Sequence, residues 1–308
     1  MQVKPMEMNR EHWENNPLDR SYPFKLFFNA SGETKPGQCV LFLHWHEHFE
    51  FIVMRRGRAV FHIGSQVCEA EPGTLLVVQA GDLHTGFSRG SEQVEYVSIV
   101  FNGALFSDWA KEEDYDTLLS PYLDGRASLP AYPGRCGEEA RRLIDMAVAE
   151  SGTGFSASGR MIAKTYLFLA FAWLARTHLP PGQAGRAREA GFRQERFKEL
   201  IRHVEDSGAP MGVREAARMV SVSPHHFCKM FKRLTGRTFT DFVNRCRMRQ
   251  AAKLLLETGL SVTEVAERVG CSNPNYFTRL FKQYVGMTPS QARNRALPDR
   301  TQAGGTDW

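Results

Sequence analysis

The chain of 308 residues carries 39 Lys and Arg against 34 Asp and Glu, which gives a formal net charge of +5. This length predicts two domains with separate cores. The first residues, MQVKPMEMNREHWENN, lack the apolar run of a signal peptide, and none of the six cysteines lies in a CxxC pair. Both features argue against a secreted protein, and we expect a cytoplasmic protein with reduced thiols and no membrane association.

The N-terminal half consists of short β-type segments. Between residues 40 and 99 the runs HFEFIVM, RAVFHI, TLLVVQ and VEYVSIV are separated by turn-forming pairs such as Arg56-Gly57 and Pro72-Gly73. No helical segments alternate with these runs. The pattern therefore predicts an antiparallel barrel or sandwich.

A group of ionisable residues lies within these segments: His44, His46 and Glu50, followed after a later turn by His84. If the first three lie on one strand, they share parity and face the same side. The residues of opposite parity are aromatic, and we expect them to pack against a neighbouring layer: Trp45, Phe49 and Phe51.

This region resembles the cupin barrel. It matches both parts of the family motif through HxHxxxE and the later Gly57, Gly73, Gly81 and His84. It departs from the motif at Gln79 and Ser88, where proline and asparagine are usual. The resemblance implies three alternatives for the polar residues, namely contacts to a small-molecule effector, a divalent-metal site, or a purely structural cluster. The residues concerned are His44, His46, Glu50 and His84.

Two amphipathic segments follow the β-rich region, over residues 138–150 and 160–178. The second contains YLFLAFAWLA, an apolar run too short to span a bilayer. It predicts a helix that is buried either against a second subunit or in the core of its own chain. The stretch 181–192, with its Pro, Gly, Ala and Arg residues, predicts a linker between two domains.

The C-terminal part contains one segment twice, SPHHFCKMFKRLTG from Ser223 and NPNYFTRLFKQYVG from Asn273. Each copy begins with a helix-capping residue and a proline, places large apolar residues at i, i+3, i+4 and i+7, and ends at a glycine. A short helix is predicted before each copy, over residues 213–220 and 262–269. We therefore expect two helix-turn-helix units, and the repetition makes the pattern far more specific than a single helix pair.

Basic charge is concentrated in the same part of the chain. Residues 193–296 carry 19 Lys and Arg against 9 Asp and Glu, although the net charge of the whole chain is only +5. Polyanionic DNA is the expected partner, because Lys and Arg side chains that contact phosphates displace condensed counterions. A solvated basic surface is the alternative.

Residues 197–293 resemble the DNA-binding region of AraC/XylS-type transcription regulators. The resemblance rests on FCKMFKRLTGRTFTDFVNRCRMRQAAKLLLETG, SVTEVAERVG and NYFTRLFKQYVGMTPSQAR. It implies that the second helix of each unit enters the major groove, in two grooves roughly 34 Å apart. It also implies an N-terminal domain that binds a small molecule, commonly a sugar, and that forms homodimers.

The outward positions of the two repeated helices are the candidate DNA contacts. Near the helix N-termini we expect base-reading residues: His225, Cys228, Lys229, Asn275, Thr278 and Arg279. Arg279 suits guanine and Asn275 suits adenine. Further along the same helices we expect phosphate contacts: Lys232, Arg233 and Lys282. Each of these residues is otherwise an ordinary exposed side chain.

A helix predicted over residues 240–257 joins the two units. A helix of about 18 residues spans ~27 Å and holds the units at a fixed separation. Its basic residues either contact the DNA backbone or remain hydrated: Arg245, Arg247, Arg249 and Lys253.

The sequence thus predicts a multi-domain α+β chain in which a cupin-like β-barrel with flanking helices precedes an all-α domain with two helix-turn-helix motifs. The expected ranges are a ligand-sensing and dimerisation domain at 1–180, a linker at 181–192, a DNA-binding domain at 193–296 and a flexible tail at 297–308.

The predicted function is a DNA-binding transcription regulator, not an enzyme, that responds to a sugar or related metabolite. Its expected partners are a double-stranded DNA operator, the effector, a second copy of the chain, and RNA polymerase if it activates transcription. No cofactor is expected beyond the possible divalent metal in the barrel. Two other interpretations remain open, a metal-dependent cupin enzyme and a non-specific architectural DNA-binding protein.

Overall fold

A computed structural model describes residues 24–109, 115–150, 156–178 and 184–296. These residues form two compact units, and the chain passes from the first to the second between Gln194 and Glu195. The predicted tail at 297–308 lies outside the described residues, and the domain limits proposed from the sequence stay a prediction. Within the described ranges, no helix combines the length and apolar character needed to cross a bilayer.

The first unit contains two antiparallel sheets. Its strands within the described residues are β1 (Phe24–Ala30), β2 (Cys39–His44), β3 (Phe49–Arg56), β4 (Ala59–Ile63), β5 (Gln66–Ala70), β6 (Leu75–Val78), β7 (His84–Ser88) and β8 (Glu95–Phe101). They form two four-stranded sheets with the orders β1-β8-β3-β6 and β2-β7-β4-β5. The predicted antiparallel sandwich is confirmed, and the four β-type runs of the sequence correspond to β3, β4, β6 and β8.

Helices follow the strands in this unit. They are a 3-10 helix (Gly103–Trp109), α1 (Tyr115–Leu118), α2 (Ser120–Leu123), a second 3-10 helix (Gly134–Cys136), α3 (Gly137–Ala149) and α4 (Ala157–Thr177). Helices α3 and α4 pack against each other, and their buried residues share one core with the outer face of the first sheet. Phe49 and Phe51 lie in this core, where the Phe49 ring meets Phe171 of α4 at 5.3 Å between centroids. Their predicted packing against a neighbouring layer is confirmed.

A second core fills the space between the two sheets. It contains residues of alternate parity on β3, such as Ile52 and Met54, together with Phe61, Leu76 and Tyr96. The alternation follows from the pleat, which sends successive side chains of a strand to opposite faces. Glu50 has the parity of Ile52 and Met54, so the backbone directs its carboxylate between the sheets.

Helices make up most of the remaining described residues. The helices are α5 (Ala184–Ser207), α6 (Val213–Met219), α7 (Pro224–Thr235), α8 (Phe239–Glu257), α9 (Val262–Arg268), α10 (Pro274–Val285) and α11 (Pro289–Ala296). The pairs α6–α7 and α9–α10 are the two predicted helix-turn-helix units, and α8 is the predicted joining helix. Helix α5 was not predicted. It covers most of residues 181–192, because Ala, Arg and Glu in this stretch favour a helix more than its glycines oppose one.

Aromatic side chains hold the helix-turn-helix units together. In the first helix-turn-helix unit, Phe227 and Phe231 of α7 are fully buried, and both contact the ring of Phe239 on α8 at 5.1 Å between centroids. In the second helix-turn-helix unit, Phe277 and Phe281 of α10 are fully buried in a core with Met248 of α8. The apolar stripes predicted from the repeat therefore face the protein interior in both copies.

The predicted helix ends are also present. The Ser261 hydroxyl accepts a hydrogen bond from Glu264 N, and the Glu264 carboxylate accepts one from Ser261 N, which forms a capping box at the start of α9. The Thr288 hydroxyl and the Gln291 side chain make the same reciprocal pair before α11. Gly286 ends α10 with a left-handed φ of 85°.

Two left-handed glycines differ in their surroundings and therefore give a test of the packing. Gly286 has φ +85° and no atom within 4 Å of a built Cβ, whereas Gly270 has φ +72° and a Cβ there would lie 2.6 Å from Pro210 Cδ. We expect Gly286→Ala to lower the free energy of unfolding by about 1 to 2 kcal/mol through backbone strain alone. Gly270→Ala should cost more because the Pro210 ring must also move. Chemical denaturation of the full chain measures both, and equal losses would contradict this account.

Candidate nucleic-acid interface and barrel site

Helix α7 presents a polar face near its N-terminus. Ser223 precedes the helix and its hydroxyl accepts a hydrogen bond from His226 N at 3.4 Å, so the helix begins where the Ser-Pro pair predicts. Because Phe227 and Phe231 are buried, the opposite side of the helix is turned to solvent. The predicted contact residues on this side are all exposed: His225, Cys228, Lys229, Lys232 and Arg233.

Helix α10 repeats this arrangement with a stronger cap. The Asn273 side-chain oxygen accepts hydrogen bonds from Asn275 N and Tyr276 N, both at 3.0 Å. Asn275, Arg279 and Lys282 are exposed, whereas Thr278 is partly buried. Neither α7 nor α10 contains an acidic residue, so no carboxylate on these helices opposes the approach of a phosphate backbone. We call α7 and α10 the reading helices.

Tyr276 is a candidate DNA contact that the sequence analysis missed. Its side chain is 41% exposed, and the Arg279 guanidinium lies 5.5 Å from the centre of its ring. A cation–π contact of this length holds the guanidinium beside the ring and restricts its rotamers. The signal was present in the sequence, because Tyr276 lies three residues before Arg279 on the same helix and outside the buried stripe.

The basic residues of the joining helix α8 do not behave alike. Arg245, Arg249 and Lys253 are exposed, as both sequence-based alternatives require. Arg247 is only 8% exposed and donates hydrogen bonds inside the unit, so both alternatives are wrong for this residue. Its position gives the reason, since Val243, Arg247, Ala251 and Leu255 follow one another at intervals of four and are all buried.

In the first unit, the four predicted polar residues of the sandwich lie together. His44 ends β2 and is paired in register with His84, the first residue of β7. Glu50 lies on β3 of the other sheet, and His46 lies in the connection between β2 and β3. All four are buried, and one potential ligand atom of each lies within 4.8 Å of the others. We call these residues the histidine–glutamate cluster.

The reason given in the sequence analysis for this convergence was wrong. His44, His46 and Glu50 do not share one strand, because β2 ends at His44 and β3 begins only at Phe49. The chain crosses from one sheet to the other between these residues. The crossing, rather than strand parity, brings the three side chains to the same end of the sandwich.

Backbone carbonyls fix the orientation of all three imidazoles. His44 Nδ1 donates to Phe42 O at 2.8 Å, His46 Nδ1 to His48 O at 3.1 Å, and His84 Nδ1 to Asp82 O at 2.8 Å. A carbonyl oxygen only accepts, so each Nδ1 must carry the hydrogen. In a neutral ring with this tautomer, Nε2 is an acceptor.

The cluster is therefore rich in acceptors. The Nε2 atoms of His46 and His84 each lie 3.2 Å from Glu50 Oε2. The His46 contact has hydrogen-bond geometry and the His84 contact does not. Since Oε2 of an ionised carboxylate is also an acceptor, this arrangement needs a proton, a hydroxyl donor or a cation among the four side chains.

The pKa values of the cluster follow from burial and from the neighbouring charges. Burial, aided by His84 and His46, holds the pKa of His44 well below its usual value, so this ring is neutral. Burial works to raise the pKa of Glu50, but the His46 and His84 imidazoles beside the carboxylate outweigh burial and keep that pKa well below its usual range. A neutral imidazole beside an ionised carboxylate is the protonation pattern that a metal or a hydroxyl-bearing ligand requires.

Comparison with protein families matches the two parts of the chain to two different families. A family described as "AraC-like ligand binding domain" matches residues 36–129, and one described as "Helix-turn-helix domain" matches residues 216–295. The first match includes the whole histidine–glutamate cluster, and the second includes both reading helices. The chain belongs to the AraC family of transcriptional regulators.

This AraC-family regulator resembles several curated proteins. The HTH-type transcriptional regulator YdeC of Bacillus subtilis (strain 168) is 22% identical over 256 residues, which cover 80% of this chain and 84% of YdeC. The HTH-type transcriptional activator RhaR of Escherichia coli O139:H28 is 22% identical over 274 residues, covering 83% of this chain and 88% of RhaR. The regulatory protein YesN of B. subtilis is 36% identical over 104 residues, and the match spans only 28% of YesN.

The family assignment decides one of the alternatives that the sequence left open. The AraC-family chain is a transcriptional regulator, not the metal-dependent enzyme that the cupin motif alone allowed. The predicted DNA-contacting residues lie on the two reading helices, and the predicted effector residues form one buried cluster.

Proposed function

We propose that this AraC-family regulator binds a specific DNA operator through α7 and α10, and that binding of a small molecule at the histidine–glutamate cluster controls transcription. One observation carries the first part. Both reading helices bury their aromatic stripe against α8 and leave a polar, acid-free N-terminal face in solvent. Such a face suits the major groove, where side chains near a helix N-terminus reach base edges.

The two reading helices divide the contacts by position. In the first turns of α10, Arg279 forms a bidentate pair with guanine and Asn275 forms one with adenine. Thr278 contacts a base edge through its shorter side chain. On α7 the corresponding base-reading residues are His225, Cys228 and Lys229. Lys232, Arg233 and Lys282 lie one turn further along and contact phosphates, which fixes the register without reading sequence.

The effector follows from the hydrogen-bonding character of the cluster. Its inward atoms are imidazole Nε2 atoms and carboxylate oxygens, and all three Nδ1–H groups are already donated to backbone carbonyls. Acceptors of this kind bind hydroxyl donors, so a sugar or related polyhydroxyl metabolite fits. The protein acts in the cytoplasm, where the DNA lies, and contacts RNA polymerase if it activates transcription.

A divalent metal is a second candidate occupant of the same cluster. His44, His46, Glu50 and His84 provide the imidazole and carboxylate ligands that suit zinc, nickel, iron or manganese. Each imidazole also has its Nδ1–H held by a carbonyl, as metal-binding histidines commonly do. A bound cation would neutralise the Glu50 carboxylate and offer a Lewis-acidic centre to an effector hydroxyl.

Helix α4 supports the proposal of a homodimer. Its inner face, including Leu167, Phe171 and Leu174, lies in the core of its own chain, as one of the two sequence-based alternatives required. Its outer face exposes Ile162, Leu169 and Trp173. The spacings of seven and four between these residues form a seam typical of paired helices. We propose a second copy as the partner, because a two-fold axis sets the same seam against itself.

Base reading and phosphate contact are separable by mutation. Selection from random DNA should yield a preferred operator for the wild-type protein. Arg279→Ala should then lose about 1 to 3 kcal/mol of discrimination at one base position. Lys282→Ala should weaken binding to all sequences alike and reduce the salt dependence by about one ion. A wild-type protein with a steep salt dependence but no preferred sequence would instead support the non-specific architectural interpretation.

Metal content tests the second candidate occupant. Elemental analysis of the purified full chain should show a divalent metal bound in the wild type and lost in His46→Ala, because one of four ligands is removed. His48→Ala is the matched control, since His48 is a partly buried neighbour whose ring is outside the cluster. A wild-type protein that stays metal-free after incubation with zinc, nickel, iron and manganese salts would leave the polyhydroxyl effector as the occupant.

The oligomeric state tests the role of α4. Leu169→Asp places a charge in the centre of the exposed seam, so sedimentation velocity should show a shift from dimer to monomer. Met146→Asp on α3 is the control, because Met146 is exposed to a similar extent but lies on the adjacent helix. A monomeric wild type, or dimers in both variants, would show that α4 is not the dimer interface.

A further inference from the structure

Arg247 is the buried member of the basic residues on α8. Its guanidinium donates four hydrogen bonds, from Nε to Val269 O at 2.8 Å, from Nη2 to Gly270 O at 2.8 Å and to Cys271 Sγ at 3.0 Å, and from Nη1 to Asn244 Oδ1 at 3.1 Å. Three of these acceptors belong to consecutive residues at the end of α9 and the start of the turn that leads to α10.

This contact satisfies a need of the backbone. The last carbonyls of a helix have no partner within the helix, and a cation near them is favoured by the helix dipole. The planar fork of arginine binds two such carbonyls at once, so it fixes the direction of the turn as well as its distance from α8. Pro210 also lies close to the turn, because a Cβ on Gly270 would meet Pro210 Cδ at 2.6 Å.

Helix α10 has a second attachment to α8 at its other end. The Tyr284 hydroxyl donates to Asp241 Oδ1 at 3.0 Å, and the Arg245 guanidinium lies 5.1 Å from the centre of the Tyr284 ring. The second reading helix is thus held at two points, the turn before it through Arg247 and its last residues through Tyr284. Two points define the orientation of a helix about its packing contact, whereas one point allows it to pivot.

We infer that Arg247 is a positioning residue that sets the orientation of α10 on α8 and therefore the register of Arg279 and Asn275 against the second half-site. This inference rests on the proposed function, because it presupposes that each reading helix recognises its own half-site. Arg247 itself does not touch DNA. Its effect on orientation is confined to the second helix-turn-helix unit, because its hydrogen-bond acceptors beyond α8 belong to the segment before α10.

The test uses the full chain and the operator selected by the wild type. The base position at which Arg279→Ala relaxes the preference identifies the half-site of the second unit. Affinities are then measured for the operator and for single-base changes in either half-site. Three variants are compared: Arg247→Met, which keeps an unbranched side chain without the fork; Arg247→Lys, which keeps the charge; and Arg249→Met, which removes an exposed charge from the same helix.

For the wild type, a base change at a well-read position in either half-site should lower affinity by about 5- to 150-fold. We call this fold-loss of affinity the penalty. In Arg247→Met the penalty should fall to nearly onefold in the second half-site and remain at the wild-type value in the first. Arg247→Lys should be intermediate, because an ammonium cannot bind both carbonyls in fixed directions. Arg249→Met should keep both penalties. Tyr284→Phe, which removes the other attachment, should reduce the second half-site penalty in the same way, and it serves if Arg247→Met does not fold.

Several results would overturn the inference. One is a folded Arg247→Met with the wild-type penalty in the second half-site, and another is equal loss of both penalties, which indicates general destabilisation. If Arg247→Met does not fold, unchanged penalties in both Arg247→Lys and Tyr284→Phe have the same meaning. A wild type without preference in either half-site would refute the proposed function first, and the inference with it.

Discussion

The DNA-binding half depends on one constraint, the burial of two phenylalanines four residues apart on each reading helix. Phe227 and Phe231 are inaccessible to solvent in the first helix-turn-helix unit, and Phe277 and Phe281 are inaccessible in the second. A helix whose two phenylalanines are buried in the core cannot rotate about its axis, because rotation by one residue would expose a phenyl ring and bury a charge. The faces that carry Lys229 and Arg279 therefore point outward as a consequence of packing.

The sandwich obeys a related constraint. Phe49 and Phe51 belong to the core beneath α3 and α4, so the residue between them must face the space between the sheets. That residue is Glu50, and a carboxylate in such a place is costly unless hydrogen bonds compensate it. The His46 and His84 rings each lie 3.2 Å from this carboxylate, the His46 contact has hydrogen-bond geometry, and both rings are held by backbone carbonyls. The geometry of the histidine–glutamate cluster is therefore set by the fold.

The sequence was sufficient for features that depend on local order. The repeat, the caps at Ser223 and Asn273, and the aromatic stripes are set by residues close together in the chain, and they could be predicted. Features that depend on distant contacts could not. The convergence of His46 with Glu50 results from a crossing between sheets, and the carbonyls that accept hydrogen bonds from Arg247 lie more than twenty residues away in the chain. Helix α5 could not be predicted for another reason, because its glycines and the preceding prolines are typical of a linker, whereas its Ala, Arg and Glu residues favour a helix.

The chemistry of the two candidate sites is opposite in sign, and this limits what each can bind. The reading helices offer donors and positive charge, and they contain no carboxylate. The histidine–glutamate cluster offers acceptors and one negative charge in a buried setting. An anionic group would meet like charge and further hydrogen-bond acceptors in the cluster, so phosphorylated metabolites are poor occupants of it. A neutral polyhydroxyl compound or a cation would gain nothing from the reading helices. Each candidate site thus offers chemistry that does not suit the ligand proposed for the other.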